Sequence, residues 1–121
     1  MNAVEKRIRK IAVSLINADT YTDIVEVMHT IAYYMDDYSA EMNAYFSGLY
    51  DYIGETDKDF IPLSSYEKYR IENMGARLIL NPNAFDTVSV FVKLHNMLRW
   101  HDGEDAMIVL TDKLYSIAEK D

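Results

Sequence analysis

The sequence predicts an all-α fold: one domain, residues 1–121, forming a bundle of about five helices around one long central helix over about 21–53. Three observations predict it. Apolar residues recur at spacings of three and four through most of the chain, as amphipathic helices require. Turn punctuation is sparse, with four glycines and two prolines, which favours a few long elements over the many short strands of a sandwich or barrel. Half of the residues are hydrophobic, enough for a core in a chain of this length and too many for disorder.

The first helix is expected from about Asn2 to Asn17, where Val4, Ile8, Ile11 and Leu15 draw one apolar stripe. The stretch KRIRKIAVSLINA also begins basic and turns apolar, as a secretory leader does. Ser14 and Asn17 interrupt it after a short run, so an amphipathic helix is the reading. No stretch approaches the ~18 apolar residues of a membrane span. With no cysteine to form disulfides, a cytoplasmic location is expected.

NADTYTD follows as a loop, and Thr20 with Asp23 three later makes a capping box for the second helix. From there Ile24, Met28, Ile31, Met35, Tyr38, Met42, Tyr45 and Leu49 advance in alternating steps of four and three. That is a heptad stripe, and it predicts one rod of ~50 Å at a rise of ~1.5 Å per residue. Gly54 ends it. GETDKDFIPLSS is a polar loop, and Ser64 with Glu67 opens a third helix over about 65–80, with Ile71, Met74 and Leu78 inward. Gly75 inside that helix costs about 1 kcal/mol relative to alanine, which marks a close helix crossing. NPN breaks the chain at 81–83, and Asn83 caps the next helix with Asp86 behind it.

Residues 84–101 carry two patterns. Val88, Val90, Val92 and Leu94 alternate like a strand, whereas Asp86, Ser89, Lys93, Asn96 and Arg99 recur at helical steps. The segment is long for a strand and has no hairpin partner, so a helix is expected. HDG at 101–103 is a tight turn before a last helix with Met107, Leu110, Leu114 and Ile117 inward.

The charge is segregated. Residues 1–20 sum to +2, residues 21–59 to −8 and residues 60–121 to −2, for a net charge of −8. An acidic middle disfavours direct nucleic-acid binding, which rests on cations, and attracts a basic partner.

Catalytic signals are thin. Glu26 and His29 form an E-x-x-H on one helix face, the spacing of half a di-iron site, but neither His95 nor His101 has a glutamate three residues earlier. The paired E-x-x-E and E-x-x-D spacings of helical magnesium-dependent nucleotide hydrolases are absent from the rod. No G-x-S-x-G and no glycine-rich phosphate loop occurs. No cofactor, no metal site and no catalytic residue is expected.

Seven of the ten tyrosines lie between Tyr21 and Tyr52. Tyr38 and Tyr45 fall on the heptad stripe and belong to the core. The opposite line of the rod is acidic and aromatic in its first half, through Glu26, Tyr33 and Asp37. It is small in its second half, through Ala40, Ala44 and Ser47. The small half is expected beneath neighbouring helices. The first half, with Glu26, Tyr33, Tyr34, Asp36, Asp37 and Glu41, is expected to face solvent and bind a partner. Tyrosine supplies contact area with a polar handle, and carboxylates steer a basic partner.

The expected function is therefore that of a non-enzymatic acidic binding protein of the inhibitor or immunity type. It would neutralise a basic protein such as a nuclease, a toxin or a nucleic-acid-binding protein. The alternatives are an assembly protein that forms a homodimer through the long helix and an all-α metal-dependent enzyme.

Overall fold

The computed structural model describes residues 2–36, 39–58 and 61–120, without the side chain of Asp36. The described residues form six α-helices: α1 (Ala3–Ile16), α2 (Tyr21–Asp36), α3 (Ala40–Glu55), α4 (Ser65–Leu80), α5 (Ala84–Leu98) and α6 (Glu104–Glu119). A 3-10 turn, His101–Gly103, joins the last two. The fold is all-α.

The rod expected over 21–53 is two helices. Ser39 has extended backbone (φ −68°, ψ 162°), and its hydroxyl accepts the Met42 N–H at 3.1 Å, an N-cap that starts α3 afresh. Asp37 and Tyr38, where continuity was expected, lie outside the described residues. The heptad stripe still feeds the core from both pieces. Ile24, Met28 and Ile31 of α2 and Met42, Tyr45 and Leu49 of α3 are at most 1% exposed.

The other boundaries follow local chemistry. Thr20 and Asp23 exchange hydrogen bonds at 3.1 and 3.2 Å, and Ser64 and Glu67 form the second capping box. Asn83 Oδ1 accepts the Asp86 N–H at 2.8 Å and starts α5. This helix buries Val88, Val90, Phe91 and Leu94, with Val92 half-buried beside them, a spread of roughly 200° around its axis at ~100° per residue. That breadth explains why a helix here mimics strand alternation.

α1 packs along α4, and Gly75 allows the approach. A Cβ there would lie 2.7 Å from the Ala12 carbonyl oxygen and 2.8 Å from Ile16 Cγ1. α2 lies against α1, α5 and α6, while α3 lies against α6 and the 3-10 turn. At one end the α1–α2 and α3–α4 loops are tied together. Leu63 N–H donates to the Asp19 carbonyl at 2.8 Å, and Tyr21 N–H donates to the Ile61 carbonyl at 3.1 Å. Lys68 Nζ donates to the carbonyls of Ile16 (2.9 Å) and Ala18 and pairs with Asp19 at 3.1 Å. A cation thus meets the negative end of α1.

Candidate functional site

The residues expected to form one partner-binding patch are spread over three settings. Glu26 is exposed on α2, at a shallow groove shared with Ser14, Asn17 and Thr30. Tyr33 and Tyr34, 41% and 39% exposed, have ring centroids 6.2 Å apart. Tyr34 turns toward α1, where the Arg7 guanidinium stands 5.6 Å from its ring. Glu41 turns toward α6 and pairs with Lys113 at 3.2 Å. Its own backbone N–H, and then Lys113, hold its carboxyl below the usual range. Asp37 lies outside the described residues, and Asp36 is described only as the last residue of α2.

The small half of the line, expected to be covered, is open. Ala40, Ala44, Ser47 and Asp51 are all exposed, because α6 and the 3-10 turn pack on the opposite side of α3. Tyr50 (50% exposed) and Glu55 stand on the same outward face. Glu26 of α2 is close enough that its charge adds to desolvation in raising the Tyr50 phenol. An open acidic and aromatic surface therefore continues from the expected one along α3. It runs from Glu26 across Tyr50 to Asp51 and Glu55, with no base among them.

His29 is half-buried with its ring edge-on to Phe46 at 4.9 Å. Among the described residues no three of His, Asp and Glu gather as metal ligands would. A second histidine is deeply placed. His95 Nδ1 lies 2.7 Å from the Tyr45 hydroxyl, and both side chains are at most 2% exposed. The phenol can donate to the unprotonated nitrogen, which satisfies both groups. Burial pushes the imidazole pKa down and the phenol up. Phe46, Phe91 and Trp100 pack around Tyr45 at centroid distances of 5.0–5.4 Å. This assembly joins α3 to α5 and is sealed on most sides, so its role is to hold the core.

A cavity of about 630 Å³ was not anticipated. It opens where α2 and α4 begin and α5 ends, and its charged lining is Lys58, Arg70, Lys93, Arg99 and Glu67. Glu67 is already engaged. It accepts the Tyr21 hydroxyl at 2.6 Å and the Ser64 N–H at 2.9 Å. Burial and this carboxylate push the Tyr21 phenol up to about 12, so it stays a proton donor. Lys58 Nζ donates to the Tyr52 hydroxyl at 2.9 Å and the Leu98 carbonyl at 2.8 Å. The four bases stand 12, 23 and 6 residues apart along the chain, interleaved with acids, so segment charges do not reveal them. A fold that brings α4 beside the end of α5 was the missing signal.

The chain matches no family model, no curated protein and no solved structure. No helix among the described residues is long and apolar enough to cross a membrane.

Proposed function

We propose that the protein is a non-enzymatic acidic binding protein of the inhibitor or immunity type, working in the cytoplasm. It docks on a basic protein through the outward side of α2 and α3. The observation that carries this reading is the concentration of negative charge in the sequence, −8 over residues 21–59, part of which is exposed on the outward side of α2 and α3. Glu26, Asp51, Glu55 and Asp57 are exposed there, with Tyr33 and Tyr50 as aromatic contacts. Ala40, Ala44 and Ser47 keep the middle of that face low, so a partner's backbone can approach closely. Charges of this kind raise the association rate and select the partner more than they add affinity. The assembly reading is weaker, since six of the eight heptad residues that would pair two chains, Ile24, Met28, Ile31, Met42, Tyr45 and Leu49, are buried within one.

The test compares two double reversals of equal charge, Glu26→Lys/Asp51→Lys on this face and Asp112→Lys/Glu119→Lys on α6. Proteins captured from the native cell are cross-linked and the sites mapped. The expected result is a basic protein cross-linked to α2 and α3, held at low salt and released at high salt. Its capture should fall at least about tenfold for the first variant and little for the second. Equal retention by both variants, or cross-links confined to other faces, would refute the reading.

A further inference from the structure

We infer that the cavity between the starts of α2 and α4 and the end of α5 binds a small phosphorylated molecule, its phosphate held among Lys58, Arg70, Lys93 and Arg99. This stands apart from the acidic face and does not depend on it. The first ground is an imbalance. In a chain with net charge −8, carboxylates are plentiful, and Lys68 and Lys113 have them within 3.1–3.2 Å. None of the four cavity bases has an acidic partner at ion-pair distance among the described residues. Four like charges gathered around one cleft repel one another, and Glu67 offsets only one of them. An anion in the cavity removes that repulsion.

Backbone conformation is the second ground. Arg99 sits in the left-handed region (φ 58°, ψ 35°) at the end of α5. Glycine is the usual residue there, and another residue costs about 1–2 kcal/mol. An arginine held at that position points its need elsewhere, to the guanidinium. The third ground is preorganisation. Two of the three Lys58 ammonium protons are fixed by Tyr52 and Leu98, and the group also stands 5.0 Å from the Tyr52 ring centroid. Its charge is therefore held at the cavity wall before any ligand arrives.

Size and surroundings select the ligand class. A volume of about 630 Å³ suits a small molecule, and the acidic surface beyond the cleft repels a long polyanion. Two guanidiniums favour the oxygen geometry of a phosphate, which they can grip in pairs. Tyr66, 69% exposed at the rim with Arg70 5.8 Å from its ring, offers a stacking surface for a ligand ring.

Calorimetry at constant ionic strength tests this with four probes: pyrophosphate, adenosine diphosphate, citrate and a single-stranded DNA 20-mer. Pyrophosphate and the diphosphate should bind one per chain, more tightly than citrate. Arg70→Gln and Arg99→Gln should each weaken them at least about tenfold, and Lys120→Gln should leave them unchanged. Arg70 is exposed and makes no hydrogen bond among those described, so its variant keeps the test open if Arg99→Gln fails to fold. The inference is overturned by absence of binding at millimolar pyrophosphate, by citrate binding equally well, or by equal weakening in Lys120→Gln. DNA binding that pyrophosphate cannot displace would overturn it too.

Discussion

Gly75→Ala sets two opposed effects against each other, and the geometry decides the sign. Helix propensity alone favours alanine by about 1 kcal/mol. The new Cβ, however, would lie 2.7 Å from the Ala12 carbonyl oxygen, 2.8 Å from Ile16 Cγ1 and 3.3 Å from Leu15 Cβ. The nearest of these is backbone and cannot rotate away, so α1 must shift as a body. Overpacking of this kind costs about 2–3 kcal/mol, which leaves a net loss of about 1–2 kcal/mol. With an unfolding entropy of about 2.1 cal/mol/K per residue, a chain of this length loses about 4 °C of Tm per kcal/mol. Calorimetric scans should therefore show Tm lower by roughly 4–8 °C. Gly54→Ala is the matched control, since nothing lies within 4 Å of a Cβ there. It should hold Tm or raise it by a few degrees, about what propensity alone allows. A rise for Gly75→Ala equal to that for Gly54→Ala would mean that the α1–α4 crossing is looser than described, and the reasoning would fail.

His95 links stability to pH. Its folded pKa is depressed, first by burial, with Glu104 opposing and His101 adding to the shift. The stability it contributes is therefore complete above the unfolded value of about 6.5 and is lost as pH falls toward the folded value. The loss is at most about 1.4 kcal/mol per pH unit. Urea unfolding between pH 7.5 and 5 should show that slope in the wild type and a flatter one in His95→Gln; equal slopes would remove the linkage. Lys68→Met strips the cation from the end of α1 while keeping the aliphatic stem. With the ammonium's hydrogen bonds to Ile16 and Ala18 gone, unfolding free energy should fall by about 1–3 kcal/mol, with hydrogen exchange rising first in residues 14–20. A change within about 0.5 kcal/mol, as for ordinary surface positions, would count against that bracing role.

Helix boundaries were readable where their chemistry is local. Thr20 with Asp23, Ser64 with Glu67 and Asn83 with Asp86 each announce a start within four residues, and each is made as expected. The division between α2 and α3 was hidden because the heptad stripe keeps its phase across it. Met35 and Met42 are seven apart, so a break leaves no mark on the apolar pattern. Ser39 was the sign available, but the residue three later is Met42 and not an acid, so it lacked the second half of a capping box. Burial by neighbours was less legible still. Small residues such as Ala44 and Ser47 fit either a tight crossing or an open face, and only the placement of α6 decides between them. The basic cleft depends wholly on tertiary arrangement, since its charges come from the α3–α4 loop, α4 and α5.

Trp100 is the single tryptophan of the chain. Its ring stacks on Tyr52 at 5.9 Å, nears His95 at 6.0 Å and fills the space that Gly48 and Gly103 leave free. It follows Arg99 directly and stacks on Tyr52, which holds Lys58. One indole is thus a single contact from the cavity wall and touches the buried histidine and the joint between α3 and the final helix. Its emission is a native optical probe: excitation at the red edge of indole absorption isolates this one chromophore from ten tyrosines. Occupancy of the cleft, protonation within the core and loosening of that joint can each be followed as a change in its light, without attaching a dye.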